Sequence, residues 1–356
     1  MFVTATDKKN DRPWRYNEMN KLRYAIVFIG NILVLPVLAH HSDAGMDMDS
    51  VIAFEGTVKE FVWRNPHVYV IVETEQSGEP IDWELQMGPV NVSSRRGWSS
   101  DSLAPGDQVT IRAVPMNNGR PYGLLRSVDK EGFSLAAETQ TPEVTPPASN
   151  LAGKWLTDRS TVQSYPGGFD GFFHALLTLN DKGKTAQAAY DPLSEENPEA
   201  TCVGRPTPAA LVSTGLYLME IDLNQQDEVI IFRSEWFDEV RTIYMDGRGH
   251  PNPSERFVTG HSIGRWEGDT LIIDTANFED HRSPYQIGVP SGEQKHVIET
   301  FRLTEDGTHI DLEFTLEDPE FLAEPMVHNR QLIHSPHLQM SYGECDPLAT
   351  RRWVNP

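Results

Sequence analysis

Three groups of residues in this chain carry side chains able to do chemistry. The first lies in residues 259–278, TGHSIGRWEGDTLIIDTANF. β-Branched and aromatic residues flank Gly268-Asp269, and the stretch reads as a hairpin closed by a two-residue turn. That turn sets Glu267 opposite Thr270, Arg265 opposite Ile272 and Ile263 opposite Asp274. His261, Arg265 and Asp274 then share one face, with His261 diagonal to Asp274. In a site, Asp274 orients His261 and His261 moves a proton; the competing reading is an ion-pair network on a rim. The second group is Glu299. Strands at 295–304 and 309–317 meet across Glu305-Asp306-Gly307-Thr308, and Val297, Glu299, Phe301 and Leu303 alternate onto one face with Ile310, Leu312, Phe314 and Leu316. Glu299 therefore projects with an apolar set. A buried carboxylate is costly unless paired, and its pKa tends to rise, which makes it a candidate acid or base. The alternative is a structural partner for Arg241, Arg265 or Arg330. The third group is Asp246-Gly247-Arg248-Gly249-His250, a loop after a strand. It places Arg248 and His250 at a barrel mouth, where they can contact an anionic group, or it is simply a turn. Arg241, Arg265 and Trp266 complete the candidate ligand-contacting residues.

A metal reading attaches to the N-terminal end. Residues 19–39, MNKLRYAIVFIGNILVLPVLA, have a basic start, an apolar run and a small-residue end, the pattern of a secretory signal peptide. A single membrane anchor is the alternative, although the apolar run is short for a span. Cleavage after Ala39 leaves His40-His41 at the mature N-terminus. A free amine beside an imidazole chelates copper, and His67 is placed to join it; an incidental polar terminus and a strand-capping His67 are the plainer readings. Export also accounts for the cysteines. Cys202 and Cys345 are the two in the chain, and in an oxidising compartment they pair most simply with each other, tying the start of the second sheet to its last strand.

The elements that must position these residues are strands. Residues 51–63, 67–74, 81–87 and 108–114 alternate as strands, with a short helix at 93–100, and read as a small OB-like barrel over 40–137. Residues 138–150, ETQTPEVTPPASN, form a Pro-rich linker. From Leu151 onward a Gly153-x-Trp155 start resembles the lipocalin opening. Strands are expected at 172–179, 217–223, 229–236, 239–245, 261–267, 270–278, 295–304, 309–317 and 327–334, with modest helical pieces at 186–190 and 208–211. Antiparallel neighbours are the simplest connection, giving a larger lipocalin-like barrel over 151–356. The fold class is all-β.

The segments VLAHHS, FEGTVKEFVWRNPHVYV, WELQMGPVN and RRGWSSDSLAPGDQVTI, with EVRTIYMDGRGHP, GHSIGRWEGDTLIIDT and YGECD further on, resemble a widespread family of exported bacterial proteins of unknown function. The resemblance implies a periplasmic or secreted two-domain protein and carries no activity.

Composition narrows the partners. Acidic residues number 52 against 30 basic, a net charge of −22, which disfavours nucleic acid and anionic membrane surfaces. Contact with the membrane is expected only through the signal segment, and no protein partner is implied. No Walker A, GxGxxG or paired CxxC occurs. The serine in Gly260-His261-Ser262-Ile263-Gly264 sits in a strand, not on a nucleophile elbow. His328, His334 and His337 are spaced poorly for one metal. The leading expectation is an exported protein that holds a small apolar or amphipathic molecule in the larger barrel, with Glu299 and Arg265 fixing its polar end. The alternative is an isomerase, lyase or hydratase type enzyme using Glu299 or His261, with no cofactor. Copper binding through His40, His41 and His67 is third.

Overall fold

The structure is a computed structural model that describes residues 46–47, 49–65, 67–130, 133–136, 145–157, 161, 164–165, 168–191, 194, 196–224, 228–341 and 345–346. The expected signal peptide, His40, His41 and the first part of the expected linker lie outside the described residues. Residues 38–356 form one compact unit.

Alternating apolar residues build the smaller barrel. Strands β1 (Ile52–Val62), β2 (Tyr69–Gln76), β3 (Glu79–Gln86), β4 (Gln108–Pro115) and β5 (Tyr122–Lys130) close a ring in the order β1-β2-β3-β5-β4, with β3 and β5 pairing in parallel. Helix α1 (Val90–Arg95) lies between β3 and β4, and β6 (Phe133–Ala136) extends the β5 edge. This is the five-stranded closed arrangement expected of the first half. Val70, Val72, Leu85, Trp98 and Ile111 fill its centre. The helix starts at Val90, earlier than the 93–100 expectation, because its cap is remote: the Asn65 side chain accepts from the Val90 N–H at 3.0 Å.

The larger barrel has nine strands: β7 (Gly153–Thr157), β8 (Met219–Asn224), β9 (Val229–Ser234), β10 (Val240–Tyr244), β11 (His261–Glu267), β12 (Thr270–Ala276), β13 (His296–Leu303), β14 (His309–Glu317) and β15 (Met326–His334). Each pairs with the next in sequence, and β15 closes on β7. A closed ring with an odd number of strands cannot alternate direction throughout, so at least one neighbouring pair must run parallel. That pair is β10–β11, matched at Ile243 to Ser262 and Tyr244 to Ile263. This corrects the fully antiparallel expectation, and it forces residues 245–260 to travel back along the barrel. Gly264 lets the parallel junction close: a Cβ there would lie 2.5 Å from Met245 Sδ and 2.8 Å from Ile243 Cγ2.

Inside, Trp155, Ile221, Ile230, Phe232, Ile243, Leu271, Ile273, Phe301 and Leu312 pack into one cluster, with the Phe232 and Phe301 rings 5.3 Å apart. Full burial of each such side chain contributes roughly 1.5–3 kcal/mol. The chain between β7 and β8 contains three described α-helices, α2 (Gly168–Leu176), α3 (Asp181–Ala188) and α4 (Ala209–Val212). The strand expected at 172–179 is therefore a helix over most of its length. Phe169, Phe172, Phe173 and Leu176 recur at helical spacing and pack with Tyr285, Val297, Leu316 and Met326.

The two barrels are joined by a buried carboxylate. Glu235 accepts from Asn91 Nδ2 at 2.8 Å and from Arg95 on the smaller barrel's helix, and from the Leu218 and Ser341 backbone N–H groups at 2.8 Å each. Cys202 and Cys345 are disulfide-bonded, with Cα atoms 5.9 Å apart. The bond does not run from the first to the last strand of the sheet, as expected. Cys202 follows a 3-10 turn (Pro198–Thr201), and Cys345 forms a bridge to Asn65 of the smaller barrel. The difference arises because the second half does not begin with strands alone; a helical insert carries Cys202. No described helix is long and apolar enough to cross a membrane.

Candidate functional site

The β12–β13–β14 register fixes Glu299 as the alternation demands: it pairs with Ile273 on one side and Phe314 on the other, and is 0% exposed. Its partner is Arg241 of β10. Arg241 Nη2 donates to Oε2 at 2.7 Å and Nη1 to Oε1 at 3.0 Å, while the Thr207 hydroxyl also donates to Oε1. Arg241 is completed by Ser262 Oγ at 2.8 Å and Thr275 Oγ1 at 2.6 Å. Every charged atom in this group has a partner, and that is what makes burial tolerable. Of the three arginines considered as partners for Glu299, tertiary pairing selects Arg241. Both become parts of the barrel wall rather than a vacant acid or a free ligand anchor.

The outer face of the same strands is different. The β11–β12 hairpin has the expected register, Glu267 to Thr270, Arg265 to Ile272 and Ile263 to Asp274. Gly268 occupies its turn with φ +65°. His261 and Asp274 consequently point outward together, but they do not touch directly. His250 stands between them. Its Nε2 lies 3.0 Å from Asp274 Oδ1, and its Nδ1 lies 3.0 Å from His261 Nδ1. His296, the first residue of β13, places Nε2 2.7 Å from the same Asp274 oxygen. The returning segment 245–260 brings His250 here, and Asn277 holds that segment by donating to the carbonyls of Pro251, Asn252 and Glu255 at 3.4, 3.1 and 3.0 Å. Tyr244 stacks on His261 with ring centroids 5.1 Å apart.

Burial and hydrogen bonding act in opposite senses within this cluster. Burial alone would raise the Asp274 carboxyl, but hydrogen bonds from His296 and His250 outweigh it and hold the pKa below the usual carboxylate value. Asp274 is thus an anion that accepts Nε2–H from both rings. The same contact, opposed by burial, raises the pKa of His296. His261 moves the other way: burial, then the proximity of His250 and Arg248, lowers it. With Nε2–H committed to Asp274, His250 turns Nδ1 to His261 as an acceptor. His261 must then donate from Nδ1, which leaves its Nε2 as a lone pair with no described partner. Asp274, His250 and His261 thus form one hydrogen-bonded chain, with His261 Nε2 at its open end. It is not a single-ion site, because His250 turns opposite edges of its ring to its two partners; among the described residues no three His, Cys, Asp or Glu side chains converge as metal ligands.

The other sequence candidates fall apart from this group or at its edge. Arg265 points outward and pairs with Glu267 at 2.9 Å, both side chains 59% exposed, so it cannot fix a ligand inside the barrel. Trp266 has the inward parity but lies at the open hairpin end, 46% exposed. Arg248 pairs with Asp246 at 2.5 Å and lies over the Tyr244 ring at 4.0 Å. His67 lies 3.3 Å from the Met87 carbonyl through Nδ1, as a strand-start residue would. His296 is the member of this cluster that the sequence reading does not single out. Its signal was present in the period-2 alternation, which puts it on the Asp274 face of the next strand, but only the β12–β13 register shows that they meet. An open cleft of about 650 Å³ on the same outer wall is lined by residues including Thr300, Arg302, Asp311, Glu313, Arg330 and Gln331, and Asp311 accepts from Arg302 at 3.4 Å and from Gln331 at 2.9 Å.

The model of a family of unknown function (DUF6152) matches residues 31–126, to which this part of the chain is similar. The match covers the smaller barrel into β5 and leaves the histidine cluster outside it. No curated protein matches the chain significantly.

Proposed function

We propose that this is an extracytoplasmic acid–base enzyme whose larger barrel carries its site on the outer wall. His261 is the base that takes a proton from a small substrate or from water. His250 receives the Nδ1 proton as charge builds on His261, and Asp274 balances that charge. The reactions such a base serves directly are isomerisation, elimination and hydration. The observation that carries this reading is the pair of 3.0 Å contacts that His250 makes with Asp274 and His261. The Cys202–Cys345 bond supports a location outside the cytoplasm, since such bonds persist in oxidising compartments. Retention of an apolar ligand between Glu299 and Arg265 has less support, because Glu299 is occupied by Arg241 and Arg265 lies outside.

The test is proton exchange and turnover on a panel of enolisable carbonyl compounds, hydroxy acids and unsaturated acids in deuterated buffer. Wild type is expected to act above background, and His261→Asn, which keeps a donor toward His250 but removes the base, to lose about 10²- to 10⁴-fold. Imidazole ¹⁵N spectra should show His261 neutral with its proton on Nδ1. A charged His261 at neutral pH, or full turnover in His261→Asn, would refute the relay.

A further inference from the structure

Among the described residues two buried arginines have carboxylate partners, Arg205 with Glu199 and Arg241 with Glu299, and the half-buried Arg95 pairs with Glu235. Arg330 has none. It lies on β15 opposite Leu312, with the inward parity, and is 6% exposed. Among the described residues its Nε and Nη1 have no acceptor, and Nη2 reaches only Thr161 Oγ1, at 3.4 Å. The next inward residue on the strand, His328, is bracketed by the Phe172 and Phe314 rings at 4.8 and 5.6 Å. Burial brings Arg330 down to about 10 and, with the Arg330 charge, His328 down to about 4. The local charge is therefore a single positive one, set among aromatic and aliphatic side chains. A desolvated cation without a counter-charge is unfavourable in the empty protein, and a fork of free N–H groups matches one planar anion.

We propose that Arg330 is the anchor of a second site, inside the larger barrel, for the carboxylate of a small amphipathic monoanion. The single charge argues against a doubly charged phosphate, which would replace one uncompensated charge with another. The exposed Thr161 beside Nη2 marks the side from which the carboxylate enters. The site is independent of the His261 relay, which faces outward.

Titration calorimetry with octanoate, and with octanol as a probe of the same tail without charge, tests this. Wild type should bind octanoate and not octanol. Arg330→Met, which replaces the cation with an apolar side chain of similar length, should weaken octanoate at least about tenfold. It should melt no lower than wild type, because it removes an unpaired buried charge. His261→Asn should bind octanoate as wild type does. No heat with octanoate in wild type, equal binding in Arg330→Met, or binding of octanol as tight as octanoate would each overturn the assignment. A large fall in the melting temperature of Arg330→Met would do so too, by making Arg330 a structural residue.

Discussion

The two faces of β11–β13 carry ionisable groups a few ångströms apart in sequence register, yet they are in opposite chemical states. On the inner face, Glu299 and Arg241 are buried, and the pair is saturated by Thr207, Ser262 and Thr275. On the outer face, Asp274, His250 and His296 keep 28%, 22% and 33% of their side-chain surface. The inner pair has every charged atom already engaged by a partner. The outer cluster is held just enough to fix its tautomers while leaving one nitrogen open. A charged residue in an apolar pattern therefore reports a structural tie as readily as a site, and the number of satisfied partners distinguishes the two.

The largest effect that sharpens this contrast is on the inner face. Arg241→Ala should destabilise the protein by about 3–5 kcal/mol in urea unfolding, because it strands the Glu299 charge. The paired replacement Arg241→Met with Glu299→Leu should recover most of that loss. If it does, and the His261 tautomer is unchanged, the inner pair is architecture alone. On the outer face, Asp274→Asn should leave stability within about 1 kcal/mol but lower any turnover by about 10²-fold, since the tautomer chain loses its fixed end. Turnover that survives this change would merge the two faces into one structural network.

A smaller effect concerns pH. The folded pKa of His296 is raised, so its contribution is fully present below the ordinary histidine value of 6.5 and fades as pH rises through the folded value. The folded pKa of Asp274 is lowered, so its contribution is present above 3.8 and is lost as pH falls through the folded value. The cluster should thus support stability most between those limits, by less than about 1 kcal/mol given its exposure. His296→Gln should flatten the decline in unfolding free energy that wild type shows as pH rises above 6.5. The smallest expected change is Arg265→Ala: its exposed pair with Glu267 should be worth under about 0.5 kcal/mol, with no effect on turnover. A larger loss would mean that Arg265 belongs to the site after all.

What the chain determined by itself was local. Alternation with period two fixed the hairpin at Gly268, the outward direction of His261 and Asp274, and the burial of Glu299. Two cysteines in an expected oxidising compartment were enough to name their bond. Composition cannot choose between three arginines for one glutamate, and it gives no hint that nine strands rather than eight close the ring. That odd count requires a parallel pair, and its placement at β10–β11 sends residues 245–260 back along the wall and so delivers His250 between His261 and Asp274. The same pairings leave Arg330 buried without a carboxylate. These outcomes belong to the tertiary structure because they depend on which strands meet. Strand pairing is settled by the closure of the whole sheet, and no stretch of ten or twenty residues contains that information.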